Sequence, residues 1–238
     1  MSIPKLKEVL KSAFSQHAAI PLPIERRLSK LAGWIRFSVW LRKQGNFPRY
    51  GTAHAHTFEQ MQANRREFYS HLVAPHEVAD FLEFGVFKGE SIRWWCGWLT
   101  SPSARLVGFD TFAGLPAAWG RCEPGTFNVD GEVPRISDER CTFWKGLFQD
   151  ALPVFLLLYD RKGRRLIVNL DADIYASTLY VLMLLGSLLE PGDILIFDEF
   201  GDPQHEFRAF CDFKSVFNLK YEVIAATQEL TRVAMRIQ

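Results

Sequence analysis

One stretch of the sequence constrains the fold more than any other feature. Residues 80–91 read Asp-Phe-Leu-Glu-Phe-Gly-Val-Phe-Lys-Gly-Glu-Ser, an apolar strand that enters a glycine-rich turn and then a helix. Such a turn lets backbone N–H groups and a helix N-terminus approach a bound ligand closely. Two later strands also end in acids, at Asp171 and Asp198. The sequence therefore predicts a ligand site beside a group of carboxylates.

Strand and helix signals alternate from residue 79 to the C-terminus. This alternation indicates a mostly parallel sheet covered by helices on both faces and connected by right-handed crossovers. We therefore predict a Rossmann-like α/β domain at 79–238, with a seven-stranded sheet and a C-terminal antiparallel strand, and a helical extension at 1–78. The predicted strands lie at 80–85, 105–110, 141–145, 165–171, 193–198, 220–226 and 231–237.

Composition excludes several classes of protein. The net charge of +1 gives no basic footprint of the kind that a general nucleic-acid binder needs. The four cysteines contain no C-x-x-C pair, which argues against structural zinc and favours a reduced, cytoplasmic chain. The N-terminal residues lack a signal-peptide pattern. No apolar run approaches the roughly 20 residues of a membrane span, so we expect no stable membrane insertion.

The ends of the predicted strands carry the candidate binding residues. Ligands of open α/β sheets bind beyond the carboxyl ends of the strands, where Glu83, Gly85 and Asp110 fall. The G-x-G-x-x-G dinucleotide fingerprint is absent, but an acid at the end of the second strand can accept hydrogen bonds from a ribose. Together these features favour an adenosine-type ligand. A tight turn without a ligand, and a loop or helix-capping acid at Asp110, are the alternatives.

Four more acids follow the later strands: Asp171, Asp173, Asp198 and Glu199. Carboxylates at neighbouring strand ends repel one another unless a cation lies between them, and Mg²⁺ and Ca²⁺ take oxygen ligands of this kind. We therefore predict a metal held mainly by Asp171 and Asp198. In the alternative interpretation, Asp173 caps the helix that begins near Tyr175, and Glu199 is solvated.

The histidines give weaker signals. His54 and His56 have a metal-like spacing, but no third partner is evident nearby, which favours solvated loop histidines. His205 follows the acidic pair by a few residues and is either a base near the substrate or a helix-surface histidine.

Residues 26–43 are basic and aromatic. Such a segment can lie on a membrane surface, or it can form a helix packed on the domain or on a subunit partner. The aromatic residues are not confined to one face of the predicted helix, which favours the packed helix.

With these residues in place, the chain resembles the class I S-adenosylmethionine-dependent methyltransferases, and more narrowly the macrocin O-methyltransferase (TylF-type) family. Studied members of that family methylate sugar hydroxyls on macrolide antibiotics. The resemblance rests on five motifs in family order, at 84–91, 108–116, 145–153, 170–178 and 197–200. Residues 1–75 carry little of it.

The resemblance implies roles for the matched positions. Asp110 would hold the ribose hydroxyls of S-adenosylmethionine. Asp171 would be the catalytic base, with His205 as a second catalytic candidate. Asp171, Asp198 and Glu199 would hold Mg²⁺, although the last of these positions is commonly Asp or Asn in the family. The complete set of implied cofactor contacts is Glu83, Phe84, Gly85, Gly89, Ser91, Asp110, Thr111, Phe112, Lys145 and Gly146.

The resemblance further implies methyl transfer to a hydroxyl of a small molecule such as a sugar or another natural product. The glycine- and proline-rich loop at 111–138 would fold over this acceptor. The aromatic N-terminal region suggests a homo-oligomer. Two other classes remain: a non-catalytic protein that binds S-adenosylmethionine and a partner protein, and a nucleotide-dependent oxidoreductase. The missing third glycine argues against the oxidoreductase.

Overall fold

The computed structural model describes residues 22–238 and Glu8; the remaining N-terminal residues lie outside the description. The helices of the described part are α1 (Leu22–Lys43), α2 (Phe58–Ser70), α3 (Glu90–Trp98), α4 (Phe148–Leu158), α5 (Tyr175–Leu185) and α6 (Glu206–Phe217). The strands are β1 (Arg49–Tyr50), β2 (Ala79–Phe84), β3 (Arg105–Asp110), β4 (Cys141–Lys145), β5 (Arg165–Leu170), β6 (Ile194–Phe197), β7 (Tyr221–Thr227) and β8 (Val233–Ile237).

The strands form one mixed sheet in the order β1-β7-β8-β6-β5-β2-β3-β4. Strand β8 is antiparallel to both β6 and β7, and the other pairings are parallel. The predicted fold class is confirmed, and all seven predicted strands lie within two residues of their observed bounds. The eighth strand, β1, was not predicted, because two residues are too few to show the alternation that identifies a strand.

The central strands explain the apolar runs of the sequence. Every residue of β2 and β6 is buried, because helices and loops cover both faces of the parallel sheet. One face packs around Leu82, Phe84 and Leu195, and the other around Phe81 and Ile167. The two faces form separate hydrophobic clusters.

The described N-terminal segment packs on both faces of this sheet. Phe37 and Trp40 of α1 belong to one hydrophobic cluster, while Phe68 and Tyr69 of α2 belong to the other. The segment at 26–43 therefore forms a helix that packs on the domain, in agreement with the favoured interpretation. None of the described helices combines the length and the apolar character that a membrane crossing requires.

Helix α1 also exposes a row of apolar side chains. Ile24, Leu28, Leu31 and Ile35 are each about half exposed, between 49% and 58%. Their spacing places them on one face of the helix. This face is compatible with the predicted homo-oligomer, which stays a prediction.

Backbone hydrogen bonds bring the strand ends together at one edge of the sheet. The N–H of Asp171 donates to the carbonyl of Phe84 (2.9 Å), and the N–H of Asp198 donates to that of Leu170 (2.9 Å). Because β8 is antiparallel, its first residue pairs with the last residue of β6, Val233 with Phe197. Residue Arg232 therefore arrives at the edge where the parallel strands end.

Candidate active site

A cavity of about 710 Å³ opens at the carboxyl ends of the parallel strands. Its volume falls within the roughly 300–1,000 Å³ typical of small-molecule sites. Residues from distant parts of the chain meet here, as the strand-end argument predicted. The predicted site residues that line the cavity are Glu83, Gly85, Ser91, Asp110, Thr111, Asp171, Asp198 and Glu199.

Three predicted cofactor residues lie behind this lining rather than in it. Phe84 is fully buried and stacks on Phe109 in the core, with ring centroids 4.7 Å apart. Phe112 is also fully buried. Gly89 precedes α3 with a left-handed φ of 77°. These residues shape the turn and the core beneath the cavity.

The remaining predicted residues also lie outside the cavity lining. Lys145 donates from Nζ to the carbonyl of Gly131 (2.7 Å), which ties the end of β4 to the long loop, and Gly146 follows it. His205 is half-buried, and its ring lies 6.5 Å from that of Trp119, which does line the cavity. His205 therefore lies next to a cavity residue but not in the cavity lining. The pKa of His205 is lowered, mainly because burial disfavours its charged form.

The glycine-rich turn fits tightly against the neighbouring strand end. Gly85 has a φ of +95°, and a Cβ at this position would lie 1.8 Å from the carbonyl oxygen of Asp171. Only glycine combines that backbone conformation with so close an approach. The absence of a side chain at Gly85 therefore lets Asp171 lie directly beside the turn.

Asp110 fixes the same turn from the other side. Its Oδ2 accepts hydrogen bonds from the backbone N–H groups of Val86 (2.7 Å) and Phe87 (2.8 Å), and its Oδ1 accepts one from Phe112 (2.7 Å). Asp110 is thus a structural anchor as well as a cavity residue. A carboxylate offers about four acceptor positions, so these three bonds leave capacity for a ligand on Oδ1.

Glu83 is a buried acid with one oxygen left without a partner. Its Oε1 accepts a hydrogen bond from Asn169 (2.9 Å), but its Oε2 has no hydrogen-bond partner among the described residues. Burial raises the pKa of Glu83 to about 8. An unpartnered buried oxygen is costly, so a polar ligand group at this position would be stabilised by Glu83.

Two arginines contact the carboxylates for which a metal was predicted. Arg65 donates from one Nη2 to Asp171 (3.1 Å) and to Asp198 (2.6 Å). Arg232 donates to both oxygens of Asp198, from Nε (2.6 Å) and from Nη2 (3.1 Å). Asp198 therefore accepts three charged hydrogen bonds, two of them short at 2.6 Å, while Asp171 accepts a single one of 3.1 Å.

This asymmetry divides the two aspartates electrostatically. Burial opposes ionisation of Asp198, yet Arg232 and Arg65 hold its pKa below the ordinary value. Burial, and then the negative charge of Asp198, raise the pKa of Asp171 to about 7, because Arg65 compensates this acid only in part. Two acids at adjacent strand ends thus have separate tasks: Asp198 stays ionised, and Asp171 can exchange a proton near neutral pH.

Further carboxyl groups surround this pair. Burial, followed by the neighbouring negative charges, raises the pKa of both Asp173 and Glu199 to about 8. Asp173 does not cap α5, since Ile174 holds the cap position without a side-chain bond, and Asp173 instead lines the cavity. Glu206, which the sequence did not single out, is fully buried and accepts the N–H of Glu199 (2.9 Å).

The predicted magnesium site finds no support in this geometry. Within the described part of the chain, no three His, Cys, Asp or Glu side chains are grouped in a way that could hold a metal ion. Asp198, one of the two main predicted ligands, already has both oxygens bound by guanidinium groups. His54 and His56 are exposed loop residues, as the favoured interpretation predicted.

The comparisons with known proteins agree with the sequence motifs. The family model of macrocin O-methyltransferase (TylF) matches residues 132–231, which confirms the resemblance to this family over that segment. Three of the five motifs lie inside the match, and the glycine-rich turn lies outside it. A search of curated proteins finds no significant match.

Solved methyltransferase structures share the fold. The calicheamicin methyltransferase CalS11 aligns with a TM-score of 0.55 and 18% identity, over 99% of this chain and 93% of that one. The O-methyltransferase NovP aligns with a TM-score of 0.55 and 20% identity, over 74% of this chain and 78% of that one. The family match and this fold together support an S-adenosylmethionine-dependent O-methyltransferase.

Proposed function

We propose that this S-adenosylmethionine-dependent O-methyltransferase transfers a methyl group to a hydroxyl of a sugar or of another natural product. The observation that carries the proposal is the single cavity that joins the turn at Gly85 and the strand end at Asp110 to the base candidate Asp171. A nucleoside-binding edge and a proton acceptor in one cavity are what this reaction requires.

The cavity residues fit the cofactor. The unpartnered Oε2 of Glu83 suits a cationic donor such as the ammonium of the methionine part. Gly85 lines the cavity at the turn, and Asp110 keeps acceptor capacity on Oδ1 for a ribose hydroxyl. Thr111 lies next to Asp110 on the cavity wall, where the adenine would pack. When bound, S-adenosylmethionine supplies a methyl group already activated by its sulfonium charge.

Asp171 is the proposed general base. A free sugar hydroxyl is a poor nucleophile at neutral pH, and a base with a pKa near the working pH is most effective at removing its proton. The hydroxyl oxygen gains the methyl group and loses its proton to Asp171. The hydrogen bond from Arg65 holds the carboxylate in place (3.1 Å).

The loop at 111–138 contributes aromatic side chains to the part of the cavity where the acceptor would bind. Trp119 and Phe127 line the cavity, and the ring of Phe127 packs edge-on against that of Phe87, with centroids 5.5 Å apart. Apolar rings at this position would exclude water and hold the acceptor in line. The proposed acceptor class is supported by the structural neighbours, one of which is described as a TDP-rhamnose 3'-O-methyltransferase.

The proposed function does not include the Mg²⁺ that the sequence suggested, because guanidinium groups already contact its two main ligands. The direct test is release of S-adenosylhomocysteine in the presence of a panel of nucleotide sugars and glycosylated natural products. Acceptor-dependent release supports the proposal. Saturating cofactor binding without release for any hydroxylated acceptor, but with transfer to nitrogen or carbon acceptors, would refute O-methylation.

The pH dependence of turnover follows from the pKa of Asp171. The base acts in its ionised form, and its pKa is about 7. We therefore expect kcat/KM for the acceptor to rise roughly tenfold per pH unit below pH 7 and to level off above it. The measurement is a kcat/KM profile at saturating cofactor and subsaturating acceptor between pH 5.5 and 8.5. A flat profile across this range would remove Asp171 from the role of base.

Replacement of Asp110 should weaken cofactor binding. In Asp110→Ala the turn loses two backbone hydrogen bonds, Phe112 loses a third, and the ribose loses its acceptor, so we expect affinity for S-adenosylhomocysteine to fall roughly 10- to 100-fold. Calorimetry measures the change. Asp150→Ala is the control, because Asp150 is an exposed acid in the first turn of α4. Unchanged affinity in Asp110→Ala would contradict the ribose role.

A further inference from the structure

Two arginine side chains, Arg65 and Arg232, supply positive charge to the cavity beside the aspartates. Arg65 comes from α2 and Arg232 from the residue before β8, so two separate elements deliver positive charge to the edge where Asp171 and Asp198 meet. Both guanidinium groups are largely buried, with 13% of each side chain exposed. Burial keeps these contacts away from solvent screening.

The two arginines offset the negative charges of the two aspartates to which they donate, Asp171 and Asp198. A divalent ion between the carboxylates would have to displace at least the guanidinium of Arg65, which bridges them from a single nitrogen (3.1 and 2.6 Å). It would also face the repulsion of the displaced charge inside a buried site.

Arg65 retains a free donor beside the proposed base. It lines the cavity, and its Nε is buried without a hydrogen-bond partner among the described residues. A buried donor without a partner is costly, so a ligand oxygen at this position would be stabilised. An acceptor oxygen next to Asp171 is the chemically suitable partner.

We propose that Arg65, supported by Arg232, takes the place of a divalent metal in this site, and that methyl transfer by this chain does not depend on a metal. Arg65 donates from Nη2 to both Asp171 and Asp198, and it offers its unpartnered Nε–H to the acceptor oxygen. This inference rests on the proposed function for the identity of the acceptor. The arrangement of charges does not depend on it, because the hydrogen bonds of Arg65 and Arg232 define that arrangement.

The test is binding of Mn²⁺, measured by electron paramagnetic resonance of the full chain with and without S-adenosylhomocysteine. We expect no stoichiometric site below about 1 mM in the wild type. In Arg65→Met the acids lose their bridging cation, and we expect one Mn²⁺ per chain to bind. Arg66→Met is the matched control, because Arg66 is exposed on the same helix, and it should behave like the wild type.

Two results would overturn the inference. One is stoichiometric Mn²⁺ binding by the wild type that disappears in Asp198→Asn. The other is a folded Arg65→Met chain, verified by circular dichroism, that still binds no Mn²⁺. Because the first result needs only the wild type and Asp198→Asn, the inference is decided even if Arg65→Met fails to fold. Calorimetry with S-adenosylhomocysteine on the same samples separates the two proposals. A wild-type chain that does not bind S-adenosylhomocysteine refutes the proposed function. A wild-type chain that binds both S-adenosylhomocysteine and stoichiometric Mn²⁺ refutes only the role of Arg65.

Discussion

Replacement of Asp171 by Asn should lower kcat by roughly 10²- to 10⁴-fold, the range that a positioned general base contributes. Asparagine has nearly the same shape and can still accept the hydrogen bond from Arg65, so the architecture of the site is preserved. It cannot take a proton from the acceptor. Single-turnover transfer at saturating acceptor measures the loss directly and excludes an effect on product release.

The same substitution should leave cofactor binding nearly unchanged and should not lower the stability of the chain. Burial raises the pKa of Asp171 from 3.8 to about 7. The unfolded chain therefore loses this proton at a lower pH than the folded chain, and the free energy of unfolding falls as the pH rises from 3.8 to about 7 and stays lowered above it. A neutral amide avoids that cost. Affinity for S-adenosylhomocysteine within about threefold of the wild type, together with lost turnover, is the expected pattern. Full turnover in Asp171→Asn would contradict the mechanism.

The second large effect is expected at Gly85. In Gly85→Ala the new Cβ would lie 1.8 Å from the carbonyl oxygen of Asp171, and backbone cannot move aside as a flexible side chain can. The φ of +95° adds conformational strain for any residue with a Cβ. We expect a loss of about 3 kcal/mol or more in the free energy of unfolding, and loss of cofactor binding. Urea denaturation followed by circular dichroism measures the first effect.

The chain offers a matched control for this substitution. Gly97 lies in α3, where an added Cβ meets nothing within 4 Å. Gly97→Ala should therefore stabilise the chain slightly, by up to about 1 kcal/mol, because alanine is the better helix former. If Gly85→Ala were as stable as Gly97→Ala and bound cofactor normally, the close approach of the turn to Asp171 would have no energetic importance.

The part of the site that lies on parallel strands could be predicted from sequence. Strand ends of a parallel sheet share one edge, so Gly85, Asp110, Asp171 and Asp198 could be grouped without coordinates. Each of these acids directly follows an apolar run, so its position at a strand end is visible in the neighbouring sequence alone. The prediction that these residues line a common cavity is confirmed.

The arginines could not be found in the same way. Arg65 lies on α2, and the position of a helix that precedes the sheet depends on long-range packing of Phe68 and Tyr69, which no local pattern records. A signal did exist for Arg232. An antiparallel closing strand begins at the edge where parallel strands end, so the residue before β8 could have been assigned to the site. The magnesium prediction counted the carboxylates but omitted these cations.

The proposed cofactor site is tested most directly by a calorimetric titration of S-adenosylhomocysteine into the full chain, with NADH titrated in parallel. We predict one S-adenosylhomocysteine site per chain with micromolar affinity, and no binding of NADH. Absence of S-adenosylhomocysteine binding up to about 1 mM, or tighter binding of NADH in the same cavity, would contradict it.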